Sequence, residues 1–435
     1  MADALSATLA AQDTPAAKKS GAGLALAVLA TTVASAFMMR TVFSPVQDAA
    51  KAELHLSDMQ LSLLQGLAVA LPVALLSLPI GRITDRGNRV ALLIGLSLLW
   101  TIGTLWTAFA QDFTTLFAAR MISGIGSMCV IGVAISVVAD LSAPEKRGRA
   151  ILALSVGNMV GVALAFALAG GLFGGFAKVA PALPGMTPWR EVHLAFGALS
   201  LLLLGPLFLL REPARHEVEV AEASFGEAMR EIWQRRGFLV PLFFGQVTVV
   251  MVDTAAGIWA APVLQRSYHM TPEQSGGVIG LMVLLGGVVG ALVGAFAADF
   301  GQKLKLKGGV LVGAVIAAVL SIPAAFFPIL PDTTLFSVGF AAFVAGGAVC
   351  GIVTATAIAV MVPNEIRGLC LSLFIVVGAV IGFGLAPTLV TVVSQALGGE
   401  QFVGAALAWT GVATSAAGAL GFALALRNGG KRKEA

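Results

Sequence analysis

Charge is what this chain of 435 residues most conspicuously lacks. Only 11% of its residues are Asp, Glu, Lys or Arg, against 58% apolar residues and a mean hydropathy of +0.92, whereas soluble domains are about one quarter charged. That excludes an ordinary soluble protein and leaves a polytopic membrane protein. Cysteine is also scarce: Cys129, Cys350 and Cys370 lie far apart in or beside apolar runs, with no spacing of a metal site or a disulfide framework. The four histidines, His55, His193, His216 and His269, fall in loops or near span ends, where solvated side chains are expected. There is no Walker loop, and no nucleophile, base and acid stand together, so neither nucleotide hydrolysis nor other catalysis is indicated. No cofactor or metal is implied. The 51 glycines follow no G-X-Y period and suit close helix packing in lipid.

What is present is a series of apolar runs of spanning length, at roughly 22–46, 59–80, 90–110, 114–139, 150–175 and 193–210, then 238–264, 275–298, 309–330, 334–361, 368–395 and 402–426. The expected architecture is all-α and integral to the membrane, with twelve transmembrane helices in two six-helix bundles. Residues 1–21 form an N-terminal tail, 22–210 the first bundle, and 211–236 a mixed-charge linker that is partly an interfacial helix. Residues 237–426 form the second bundle and 427–435 a basic tail. The first run reads as a retained signal-anchor.

With both termini cytoplasmic, only Lys51, Lys178, Arg190 and Arg266 of the 27 Lys and Arg fall in external loops and only Arg40 and Arg120 within spans. The remainder lie on the cytoplasmic side, as the positive-inside rule requires. The excess of four positive charges therefore reports topology rather than nucleic-acid binding.

The halves repeat. A shift of 214 residues lays His55-Leu56-Ser57-Asp58-Met59-Gln60 on His269-Met270-Thr271-Pro272-Glu273-Gln274, and Asp85-Arg86-Gly87-Asn88-Arg89 on Asp299-Phe300-Gly301-Gln302-Lys303. A shift of 220 lays Pro144-Glu145-Lys146-Arg147-Gly148 on Asn364-Glu365-Ile366-Arg367-Gly368. Parallel repeats of this kind place a transport site at mid-membrane between two bundles.

Several stretches resemble the major facilitator superfamily: Gly81-x-x-x-Asp85-Arg86-x-x-Arg89 between spans 2 and 3, Arg120-x-x-x-Gly124-x-Gly126 in span 4, Pro144-Glu145-x-Arg147-Gly148 after it, and Trp189-Arg190 entering span 6. Arg40, Leu56-Ser57-Asp58 leading into Leu63-Leu64-Gln65, and Ala139-Asp140 are similar to the spinster-like branch, which is implicated in moving lysolipids and sphingolipids. Two positions depart from that branch: Met39 stands where an acid typically precedes the span 1 arginine, and Ser127 where Glu typically follows the span 4 glycines. Span 5 carries Gly157-x-x-x-Gly161 without the proline that completes the antiporter pattern.

Ionisable residues within a span cost about 2.5–3.5 kcal/mol on insertion scales and usually face a cavity or a partner. Arg40 is a permanently charged fork for an anionic substrate, and Asp253 is its expected counter-charge, since the 214 shift places Asp253 on the slot of Met39. Arg120 is expected to be structural. Ser127, Asn158, Gln246 and Trp259 are candidates to line the same cavity. A conformational gate is expected from Gly81, Asp85, Arg86, Arg89, Asp140, Glu145, Arg147, Asp299 and Arg367, with Asp85 capping the start of span 11 and Arg86 and Arg89 pairing with Glu145 or Asp140.

The resulting expectation is a secondary transporter of the inner membrane, monomeric, working by alternating access on a small organic anion or lysolipid and coupled to protons. A multidrug or metabolite exporter of the same fold is the alternative. A membrane enzyme would need clustered catalytic groups, and a sensor would usually carry an added soluble domain; neither is visible in segments this short.

Overall fold

The computed structural model describes residues 15–143, 146–215, 225–304, 306 and 308–429. Its secondary structure is helical throughout. The first bundle comprises α1 (Pro15–Thr41), α2 (Gln47–Leu54), α3 (Asp58–Gln65), α4 (Leu67–Arg86), α5 (Arg89–Phe109), α6 (Phe113–Leu141), α7 (Arg147–Phe176) and α8 (Pro188–Leu204). A short α9 (Phe225–Gln234) precedes the second: α10 (Arg236–Ser267), α11 (Pro272–Lys303), α12 (Val312–Ala324), α13 (Thr333–Met361), α14 (Asn364–Val377), α15 (Ala386–Ala396) and α16 (Val403–Asn428). Among the described residues eleven helical stretches are long and apolar enough to cross a membrane. The twelfth, α14 to α15, is broken by a π-helical stretch, Gly378–Leu385, that ends just before Pro387. Such π segments concentrate at functional sites.

Local chemistry repeats along with the sequence. His55 and His269 both adopt positive φ, 51° and 56°, each ending a helix, and Ser57 with Gln60 and Thr271 with Gln274 form matching capping boxes at the next helix start. The 220 shift brings Asp112 onto Asp332, and each caps its helix through a backbone N–H three residues on. Helix packing repeats too: α1 on α7 is answered by α10 on the π segment, α4 on α6 by α11 on α13, and α5 on α8 by α12 on α16. The bundles meet along α7 with α11 and along α4 with the π segment.

Glycine makes these approaches possible. A Cβ at Gly161 would overlap the Ala34 carbonyl, and one at Gly157 the Ala30 carbonyl, so the Gly157-x-x-x-Gly161 motif of span 5 serves as the seat of α1. Between bundles, a Cβ at Gly280 would lie 2.6 Å from the Ala163 carbonyl oxygen and one at Gly66 2.8 Å from that of Gly384. Lipid offers no hydrophobic drive for helix association, and such close packing replaces it.

Two expectations need local correction. The first span is not straight: α1 ends at Thr41, and a 3₁₀ turn containing Pro45 turns the chain into α2. The Gly81–Arg89 turn is shorter than its nine residues. Helix α4 runs on to Arg86, Asn88 caps α5 by accepting from Ala91 N–H at 2.8 Å, and only Gly87 and Asn88 lie between the helices.

Candidate functional site

The face of the molecule where α1 begins and α16 ends is the terminal end, and the opposite face the distal end. At the distal end the bundles are tied together. Arg266, in the last turn of α10, lies between two carboxylates of the first bundle: its Nε and Nη2 donate to Asp48 at 2.8 and 2.6 Å, and its Nη1 and Nη2 to Asp58 at 2.6 and 2.9 Å. Lys51 pairs with Asp58 at 2.7 Å and with Glu400 of the second bundle, while the Asp58 N–H donates to Glu400 at 2.7 Å. Gln47 Nε2 donates to the Ile258 carbonyl at 2.7 Å, and Gln265 Nε2 to that of Pro45 at 2.9 Å. Two bidentate arginine–carboxylate pairs are a strong and geometrically exacting tie.

At the terminal end, among the described residues, no hydrogen bond or ion pair joins the two bundles. The hydrogen bonds described there each lie within one bundle. Arg89 is buried and donates to Glu212 at 2.7 Å, to the Ser136 carbonyl at 3.1 Å and to Asp140, so the expected Arg89–Asp140 pair is present. Arg215 donates to the carbonyls of Thr84, Asp85 and Gly87, closing the C-terminal end of α4, where a cation complements the helix dipole. Arg147 donates to the Ala139 carbonyl at 3.0 Å and Arg367 to that of Val362 at 3.0 Å. These counterparts in the repeat each hold the end of the preceding long helix.

Asp85, Arg86 and Asp299 are exposed, and neither Asp85 nor Arg86 forms a side-chain bond to span 11 among the described residues. Among the described residues the expected cap of Asp85 on span 11 is not seen. Gly81 sits inside α4 with open space beside it. Glu145 lies outside the described residues.

Between the bundles Arg40 is half-buried in the last turn of α1, its guanidinium 4.3 Å from the ring of Phe383 in the π segment and 5.9 Å from that of Phe37. Its side chain makes no ion pair or hydrogen bond among the described residues. Arg120 lies beneath it, buried, donating from Nη2 to the Arg40 carbonyl at 2.9 Å and resting 5.4 Å from the Phe43 ring. It thus ties off the end of α1, the structural part expected of it. Asp253, at mid-length of α10, is accessible although Val252, Thr254, Ala255 and Ala256 around it are buried. Its carboxylate lies against Gly347 of α13, where a Cβ would overlap it. No ion pair joins Arg40 to Asp253: Arg40 reaches the π segment, while Asp253 turns into its own bundle.

The remaining candidates divide. Gln246 accepts from Thr354 at 2.8 Å and so bridges α10 to α13. Asn158 is half-buried on α7, beside an open cleft of about 510 Å³ between α1 and α7, whose lining includes Thr31, Ala34, Leu152 and Val156, with Arg149 its only charge. Ser127 and Trp259 are fully buried, and neither lines the α1–α7 cleft. Ser127 donates to the Ser123 carbonyl at 2.9 Å, and Trp259 Nε1 donates to that of Pro387 at 3.3 Å, packing α10 on α15. His193 is also buried rather than solvated, its Nδ1 2.7 Å from the Trp189 carbonyl oxygen. Sequence reasoning placed Arg266, Lys51 and Asp58 near the external surface but did not join them; the one pointer was an acid and a base at the two repeated helix boundaries.

Two bundles of like internal packing, tied together at the distal end, are matched by the description Major Facilitator Superfamily over residues 29–387. The chain belongs to that superfamily. This makes it a membrane transporter rather than an enzyme. It is 25% identical over 384 residues to Protein spinster homolog 1 of Xenopus tropicalis, covering 82% of this chain and 70% of that one. It is 29% identical over 220 residues to the 3-(3-hydroxy-phenyl)propionate transporter of Escherichia coli (strain K12), 49% of each chain. The crystal structure of a bacterial homolog to human lysosomal transporter, Spinster, in inward-facing and unoccupied conformation matches the fold with a TM-score of 0.78 at 22% identity, covering 95% of this chain and 99% of that one. Within the superfamily the chain resembles the spinster-like branch.

Proposed function

We propose that this transporter works by alternating access on an amphipathic organic anion, of which a lysolipid or long-chain carboxylate is the simplest form, and that Arg40 receives the anionic group. The single observation that carries the reading is the setting of Arg40: a permanent charge without a carboxylate partner, stacked between aromatic rings from the two bundles. A guanidinium presents a fixed fork of donors to a carboxylate or phosphate, and the rings beside it suit the apolar part of the same ligand. Ala34, which lines the α1–α7 cleft, is about 9 Å from Arg40 along the helix at 1.5 Å per residue.

In this reading the terminal end faces the cytoplasm, which the positive-inside bias supports, and the protein is a monomer of the inner membrane. In this reading the gradient that drives the cycle acts through Asp253, an accessible carboxylate on α10 that faces its own bundle. A proton is the smallest cation that could do so.

Thermal stabilisation of the purified protein by lysolipids, fatty acids and small carboxylates tests the anion site. Wild type is expected to be stabilised by the amphipathic anions, and Arg40→Ala to lose that stabilisation at ligand concentrations at least tenfold higher. Equal stabilisation of both proteins by every anion would refute the assignment.

A further inference from the structure

The surroundings of Asp253 hold more than a carboxylate. Its carboxylate opens into a small cavity of about 10 Å³ within the second bundle, roofed by Val252 and Phe343 and lined also by Ser321, Ser415 and Gly347, room for about one water-sized particle. Ser415 is 2% exposed and its hydroxyl has no hydrogen-bond partner. Ser321, 8% exposed, donates its hydroxyl proton to the Ala317 carbonyl at 2.9 Å, which leaves its oxygen lone pairs free. Three oxygen donors from α10, α12 and α16 thus converge on one cavity with otherwise apolar walls, and none of the three accepts a bond from the protein.

A buried hydroxyl left without a partner costs free energy, so the pocket calls for an occupant. Proton transfer to Asp253 alone would need neither serine. An alkali cation needs oxygen ligands, and one carboxylate neutralises one positive charge; a divalent ion would leave excess charge buried.

The repeat supports this. The 214 and 220 shifts carry Met39 onto Asp253 and Ser127 onto Gly347. Met39 and Ser127 are fully buried and uncharged, so the corresponding positions of the first bundle offer no carboxylate. In the second bundle an acid occupies one slot, and the other slot has been emptied of side chain to make room for it.

We propose that Asp253, Ser321 and Ser415 form a monovalent-cation site that binds sodium, reached from the space between the bundles through the accessible face of Asp253. The proposal deepens the reading of Asp253 as the coupling group by naming its ion. Water completes the coordination from the open side.

The test is the melting temperature of the purified protein in sodium, potassium and choline chloride at equal ionic strength, with direct binding of radioactive sodium as a second readout. Wild type is expected to show a saturable, sodium-selective rise. Asp253→Asn should abolish it, and Ser415→Ala should move its midpoint to about tenfold higher sodium, since one neutral ligand is lost. No selectivity for sodium in wild type, or a sodium shift that survives Asp253→Asn, would overturn the site. Should Asp253→Asn fail to fold, Ser415→Ala and Gly347→Ala decide: unchanged midpoints in both would overturn it equally. Arg40→Ala should keep the sodium shift, so the cation site and the anion site fail separately.

Discussion

Replacing Arg266 with alanine is expected to release the distal end of the transporter. Arg266 belongs to the second bundle and its two carboxylate partners, Asp48 and Asp58, to the first, with all four contacts between 2.6 and 2.9 Å. Removing it leaves Asp48 without its cation and Lys51 alone between Asp58 and Glu400, so the attraction across the interface is much reduced. Breaking a fully buried pair costs about 3–5 kcal/mol. The Arg266 side chain is 23% exposed, and solvent screening reduces the effect to roughly 2 kcal/mol, about a thirtyfold shift toward the distally open state. The readout is the rate of thiol labelling of a cysteine placed at Thr388, which contacts Ser62 across the interface, in a background with Cys129, Cys350 and Cys370 replaced. Labelling should quicken by an order of magnitude or more, and Arg266→Lys should restore little, because an ammonium cannot serve two carboxylates bidentately. An unchanged rate would mean that the distal tie does not set the conformational balance.

The second large effect is on folding. Gly161→Val should sharply lower the yield of folded protein and its melting temperature, since the added Cβ would overlap the backbone of Ala34. A flexible side chain could move aside, but a helix backbone in a packed bundle cannot. Overpacking costs about 1–3 kcal/mol even where neighbours relax, and here α1 would have to leave its seat, carrying Arg40 with it. Gly171→Ala, on the same helix with open space around it, is the control and should behave as wild type. Similar melting temperatures for both variants would show that α1 and α7 are held apart by something other than this contact.

Much of the fold was readable because lipid imposes it. Span count, the six-plus-six division and the half repeat all follow from apolar runs and boundary residues, and the matched capping boxes at Ser57 and Thr271 are the same statement made in hydrogen bonds. The interruption of span 11 was not readable, since Gly378–Leu385 is uniformly apolar and nothing in its composition separates a π from an α turn.

The site was readable only in part. Arg40, Arg120 and Asp253 declared themselves as charges inside spans. Which partner each takes depends on rotation about the helix axis, which composition does not set, so the expected Arg40–Asp253 pair is absent. Trp259 and Ser127 looked like cavity residues by type, yet helix rotation turns both into packing. The distal network was harder still. Its acids and bases are ordinary loop charges in sequence, more than two hundred positions apart, and only the meeting of two bundles makes them partners. Likewise, the Asp85–Arg89 stretch is anchored by Glu212 and Arg215, which read as the start of a linker.

The most direct test of alternating access is a pair of distances measured by pulsed electron paramagnetic resonance, one between labels at Ser57 and Gln401 at the distal end, the other between labels at Arg82 and Phe300 at the terminal end. In the Arg266→Ala protein relative to wild type, the distal distance should lengthen while the terminal distance shortens. If both lengthen, or the distal pair moves while the terminal pair stays fixed, the two ends do not alternate and the account is contradicted.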